Sequence, residues 1–195
     1  MRYPPEHRDQ SRIRIRDAAG RAFRSYGFEG VGVDGLSKEA GVTSGAFYRH
    51  FPSKNAAFRE VAVTGLRTLE ESVTEFQMQF GDAWLPHFID FYVDELRNCD
   101  LSQSCGLQSL TSDVMRMDEE TRGAYEDGIN KVVDRMVGGF PHLPAARARA
   151  RALALLSLLS GSITLARSLK SVDLSGELAE AVKTLARIEQ PLDQT

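Results

Sequence analysis

The chain has 195 residues, 42% of them hydrophobic and 26% charged, and a net charge of −3 at pH 7. This balance supports a substantial apolar core and excludes disordered, collagenous and low-complexity classes. The charge is uneven: residues 1–59 hold 11 Lys/Arg against 6 Asp/Glu, a balance of +5, while residues 60–195 hold 13 against 21, a balance of −8. A basic segment on an acidic protein concentrates positive potential where a polyanion binds. In chain order every long segment reads with a helical period, and no run of alternating Val, Ile and Thr makes a strand, so an all-α protein is expected.

Ile15, Ala18, Ala19, Ala22 and Phe23 form one apolar stripe, which Gly27 closes and Phe28 follows as the apolar contact beyond the cap. A short helix over 33–40 turns Val33, Leu36 and Ala40 inward and ends at Gly41; another over 44–50 places Phe47 and Phe51 on one buried face before Pro52-Ser53. Over 54–80 the positions Phe58, Val61, Ala62, Leu66, Leu69, Val73, Phe76 and Phe80 keep one period, predicting a single long helix. Gly81-Asp82 breaks it. Trp84, Leu85, Phe88, Ile89, Tyr92 and Leu96 line the next helix, with Pro86 in its first turn. Helices over 104–115, 118–137, 145–170 and 175–190 complete the chain, separated by breaks such as Gly138-Gly139.

A short helix, a glycine turn and a second short helix make the frame of a helix-turn-helix DNA reader. With Phe47 and Phe51 inward, Gly45 and Arg49 face outward, and Ala46 and Tyr48 flank them. Ser44, Gly45 and Ala46 are candidate base contacts: the first two are small enough for close approach, Ser44 hydrogen-bonds, and the Ala46 methyl suits a thymine methyl. Tyr48, Arg49, His50 and Lys54 are candidate phosphate donors.

Several residue runs resemble the N-terminal domain of the tetracycline-repressor (TetR) family of bacterial transcriptional regulators. They are Ile15-Arg16-Asp17-Ala18-Ala19 with Phe23, Tyr26-Gly27-Phe28, Ala40-Gly41-Val42-Thr43, and Phe47-Tyr48-Arg49-His50-Phe51-Pro52-Ser53-Lys54. The resemblance covers roughly residues 11–62. It implies a three-helix DNA-binding domain, residues 1–53, followed by a helical ligand-sensing and dimerisation domain, residues 54–195, with a long fourth helix between them and a homodimer built from the last two helices. One departure stands out. Similar proteins usually begin the second helix on a Thr or Ser that caps it and touches phosphate, whereas this chain has Gly32-Val33-Asp34-Gly35. The hydroxyl is missing, and Asp34 would repel phosphate unless it caps the helix, so this helix is read as scaffold. Arg12, Arg14 and Arg16 are read either as DNA-backbone contacts or as a solvated helix start.

In the remaining chain, Trp84, Phe88, Tyr92, Cys105, Met115 and Tyr125 are candidates to line a pocket for a hydrophobic or aromatic effector, although aromatic stripes at helical spacing also serve as core. For the implied dimer, Ala154, Ser157, Ser160 and Gly161 keep one helix surface small, and Leu178, Val182 and Leu185 supply apolar area. Two cysteines, Cys99 and Cys105, are too few for a disulfide framework and lack metal-site spacing, so no metal or cofactor is expected. Cys105 at a helix start reads as a redox sensor or a structural thiol. The N-terminus lacks the apolar core of a signal peptide, and the weakly polar run 152–166 is interrupted by serines, so the reading is cytoplasmic with no membrane partner.

The resulting expectation is a homodimeric repressor, binding a pseudo-palindromic operator and released by a small effector. The alternatives are an enzyme using Cys105 with His87 or His142, which has no phosphate loop, paired carboxylates or metal spacing behind it, and a DNA-coating protein, which the acidic C-terminal half disfavours.

Overall fold

A computed structural model describes residues 5–188 of the chain, with side chains from residue 9. The described residues form helices and turns and no strand. The helices are α1 (Pro5–Gly30), α2 (Val33–Glu39), α3 (Ser44–Tyr48), α4 (Lys54–Phe80), α5 (Trp84–Asp90), α6 (Leu96–Asn98), α7 (Gly106–Val114), α8 (Glu119–Gly138), α9 (Ala145–Ser168) and α10 (Val172–Arg187). A π-helical stretch, Phe91–Glu95, joins α5 to α6. The last helix was expected over 175–190. It starts earlier because Ser171, not Ser175, caps it, accepting from the Leu174 amide at 3.1 Å; Glu189 and Gln190 lie outside the described residues.

The chain divides into two compact units, one comprising the residues up to Leu69 with Asp100–Asn130, the other Glu70–Cys99 with the residues from Lys131 onward. In the first unit the α1 stripe is buried as its spacing predicts. Gly27 has φ 73°, a backbone that β-carbon-bearing residues rarely adopt, and it turns the chain so that Phe28 enters the core. There Phe28 meets Phe23 and Phe58 with ring centroids 6.0 and 5.1 Å away. Two glycine approaches bring α7 and α8 onto α4. A β-carbon on Gly106 would lie 2.9 Å from the Gly65 Cα, and one on Gly128 would lie 2.7 Å from Leu66 Cδ1. Arg59 pairs with Glu120, and the Tyr125 hydroxyl is 2.7 Å from Thr111 Oγ1. Burial pushes the Tyr125 phenol up to about 12.

In the second unit an aromatic column runs through Phe76, Phe88 and Phe91, with Trp84 against Phe140 at 5.5 Å. The Trp84 indole N–H donates to the Gly139 carbonyl at 3.0 Å, so the largest side chain of this core has its one donor satisfied. Tyr92 and Val93 of the π-helical stretch are buried one helical turn beyond Phe88 and Ile89. Its downstream carbonyls, Leu96 O and Cys99 O, accept from Arg167 Nη2 at 2.6 and 2.8 Å, an α9 side chain serving as C-cap. Lys183 of α10, 9% exposed, donates to Asp94 at 2.7 Å, and that bond raises its pKa and keeps it charged. By length and composition α9 is apolar enough to cross a membrane; its Ala152, Leu155, Leu156, Leu159 and Ile163 are buried in this unit.

Candidate nucleic-acid interface

The turn between α2 and α3 is closed from within. Gly41, with φ 65°, donates to Lys38 O at 3.1 Å, and the Val42 amide donates to Ser37 O at 2.9 Å. Thr43 then caps α3: its hydroxyl oxygen accepts from the Ala46 amide at 3.2 Å and its carbonyl from the Phe47 amide at 2.9 Å. Leu36, Phe47 and Phe51 are fully buried, and the Phe47 and Phe51 rings lie 5.6 Å apart. With that side committed to the core, Gly45, Tyr48 and Arg49 are exposed, and Ser44, Ala46 and His50 are half-buried at the rim.

Gly45 is not required by the packing. A β-carbon there would meet nothing nearer than Thr43 Oγ1 at 4.0 Å, although glycine inside a helix costs about 1 kcal/mol relative to alanine. The outward face of α3 is therefore open at Gly45.

The basic side chains divide into two kinds. Arg12, read from sequence as a DNA-backbone contact or a solvated start, is instead a brace. Its guanidinium donates to the His50 carbonyl and to Glu60, and stacks 4.6 Å over the Phe51 ring, holding the end of α3 against α1 and α4. Arg16 pairs with Asp17 at 2.8 Å and Arg21 with Glu39 at 3.2 Å. The Lys54 ammonium sits 4.0 Å over the Phe28 ring, so this candidate phosphate donor also packs against the core. Ser53 caps α4 by accepting from the Ala56 amide at 3.0 Å.

Two features escaped the sequence reading. Thr43 is an exposed cap whose oxygen accepts internally while its proton remains to be donated; a Thr just ahead of Ser-Gly-Ala is an N-cap signal that reveals it. Asp34 does not cap α2, whose cap residue, Gly32, has no side-chain bond; it accepts from Ser44 Oγ at 2.7 Å.

The effector candidates fall in two groups. Trp84, Phe88 and Tyr92 are brought together in the second unit, with Trp84–Phe88 and Phe88–Tyr92 ring centroids 6.0 and 5.8 Å apart. In the first unit Cys105 precedes α7, Met115 follows it and is 65% exposed, and Tyr125 is buried. Among the dimer candidates, Ala154, Ser157, Gly161 and Leu185 are exposed, Ser160 and Leu178 are half-buried, and Val182 is buried within its own unit. Among the described residues no group of three His, Cys, Asp or Glu side chains is placed to hold a metal.

The rigid α2–turn–α3 pair, with its outward face small and polar, defines a helix-turn-helix module on an all-helical chain. Residues 15–61 match the model of the bacterial regulatory proteins of the tetR family. Over these residues the chain carries the DNA-binding domain that this family model describes. It is 32% identical over 95 residues to YfiR, an uncharacterized HTH-type transcriptional regulator of Bacillus subtilis, covering 47% of this chain and 43% of that protein. It is 35% identical over 74 residues to the HTH-type transcriptional regulator AcrR of Shigella flexneri, covering 37% and 34%. The matches thus span less than half of either relative. The fold resembles that of Escherichia coli NemR in its reduced form, with TM-score 0.77 and 18% identity over 91% of this chain and 95% of that one. It also resembles a TetR-family regulator of Cytophaga hutchinsonii, with TM-score 0.76 and 17% identity over 95% and 96%.

Proposed function

We propose that the chain is a cytoplasmic, ligand-responsive transcriptional repressor, not an enzyme, that binds a pseudo-palindromic operator as a homodimer. Residues 1–53 hold the DNA, and residues 54–195 sense the effector and dimerise. The observation that carries this reading is the open, exposed face at Gly45 on a helix whose opposite face is locked by Phe47 and Phe51. A helix with a small N-terminal face and a fixed inner face is suited to enter a major groove. Ser44, Gly45 and Ala46 meet base edges; Thr43, Tyr48, Arg49, His50 and Lys54 meet phosphates.

The dimer reading rests on two outward stripes at helical spacing: Ala154, Ser157 and Gly161 on α9, and Leu174, Leu178 and Leu185 on α10. A dimer sets two recognition helices one turn of DNA apart, about 34 Å. A small hydrophobic or aromatic effector lowers operator affinity, and DNA lowers effector affinity by the same factor; within the second unit Trp84, Phe88 and Tyr92 are the candidates to meet it. Gel-shift and footprinting with genomic fragments test the reading: a discrete, two-fold symmetric footprint is expected, whereas continuous coating or no retardation contradicts it.

A further inference from the structure

The helix-turn-helix module, in a segment of net positive charge, carries a carboxylate on its working side. Asp34 is exposed near the start of α2, makes no cap there, and accepts from the Ser44 hydroxyl at an O···O distance of 2.7 Å. Ser44 is the first residue of α3, next to the open face at Gly45. Facing phosphate, this carboxylate is repulsive; facing a base edge, it selects.

The direction of the hydrogen bond determines what it selects. Because Ser44 donates its only proton to Asp34, its oxygen turns lone pairs outward, and the Asp34 oxygens are also acceptors. The Ser44–Asp34 pair therefore presents acceptors, beside the Thr43 hydroxyl, whose proton remains to be donated. In the major groove the donors are the N4 amino group of cytosine and the N6 amino group of adenine, while guanine and thymine show acceptors at these positions. Adenine carries the N7 acceptor beside its amino group and opposes a second protein acceptor. Cytosine carries no acceptor beside N4, so adjacent acceptors fit it better.

We infer that Asp34, held by Ser44, is a specificity-determining residue that reads a cytosine amino group in each operator half-site. The inference rests on the DNA-binding reading and deepens it, since the departure from the family pattern at Gly32-Val33-Asp34-Gly35 leaves α2 as scaffold. Asp34 supplies the charge-assisted acceptor for the one N4 proton not used in base pairing, and Ser44, by donating to its carboxylate, holds it in place.

The test is selection of bound duplexes from a randomised pool by the full-length chain and by its Asp34→Asn and Asp34→Ala variants, followed by affinity measurements on the selected sites. The wild-type chain is expected to enrich cytosine at one position of each half-site. In Asp34→Asn, whose amide both donates and accepts, the enrichment at that position moves to adenine, and affinity for the cytosine site falls roughly tenfold or more. In Asp34→Ala discrimination at that position is lost while binding to unrelated DNA strengthens, because a negative charge has left the surface. Unchanged base preference in both variants, or an affinity change equal for all sequences, overturns the inference and leaves Asp34 a brace for α3. A wild-type chain that enriches no sequence overturns the functional reading and this inference together. Circular dichroism of the variants confirms that the exposed substitution leaves the helices formed.

Discussion

The backbone amide of Phe28 donates to the Asp113 carboxylate at 2.9 Å, across 85 residues of sequence. Phe28 follows the Gly27 break that ends the regular part of α1, and Asp113 lies in the last turn of α7. One compact unit thus holds both the helix-turn-helix pair and α7. The bond ties α7 to the corner of α1, and the Phe28 ring in turn contacts Phe23, Phe58 and Lys54.

Removing the acceptor tests that link. Asp113→Ala leaves a part-buried N–H without its partner and is expected to destabilise the chain by roughly 1–3 kcal/mol in urea denaturation. Asp113→Asn keeps an acceptor oxygen and recovers most of the loss. Operator affinity falls in the same order. Equal stability of all three proteins contradicts the link.

Much of this unit was legible before the structure. The α1 stripe, the Gly27 break and the inward Phe28 follow from helical spacing and from glycine's access to positive φ. The partner of the Phe28 amide was not legible, because a hydrogen bond spanning 85 residues leaves no local periodicity. Arg12 illustrates a different limit. From sequence it is an exposed basic residue near a helix start, and only the placement of the His50 carbonyl and Glu60 makes it a brace. The π-helical stretch Phe91–Glu95 was hidden because the apolar pattern from Trp84 to Leu96 tolerates one inserted residue without losing its helical appearance.

Lys54 has two expected roles, and two substitutions separate them. Lys54→Ala lowers affinity for every DNA sequence alike and flattens the salt dependence, since one phosphate contact per half-site is lost. It also costs about 0.5–1 kcal/mol of stability through the lost contact with Phe28. Lys54→Arg keeps the charge and the stacking, and retains both. Affinity titrations at several salt concentrations, alongside thermal melts, read out the two effects; an unaltered salt slope in Lys54→Ala removes the phosphate assignment.

Tyr125 predicts an alkaline transition. Its folded pKa, about 12, lies above the ordinary value of 10.0 because burial disfavours the phenolate. Its contribution is therefore complete below pH 10 and is lost as pH rises through 12, amounting to roughly 2–3 kcal/mol in total. Urea midpoints measured across that range should fall less steeply for Tyr125→Phe than for the wild-type chain. Parallel curves contradict the assignment.

The proposed dimer face makes a separable prediction at Gly161. A β-carbon there meets nothing within 4 Å inside the chain, so Gly161→Leu preserves the fold of the protomer. It obstructs close approach of a second copy, and sedimentation equilibrium should show a weaker dimer with unchanged helix content. Association equal to that of the wild-type chain removes Gly161 from the interface.

Whether the outward face of α3 meets DNA is decided by measuring Gly45→Ala for stability and operator affinity together. The added methyl enters open space and removes a helix-breaking residue, so the account predicts a more stable protein, by up to about 1 kcal/mol. In the same variant operator affinity falls roughly tenfold or more, because the methyl stands where the base edge approaches. A variant that is more stable and binds the operator as tightly as the wild-type chain contradicts DNA contact at this face.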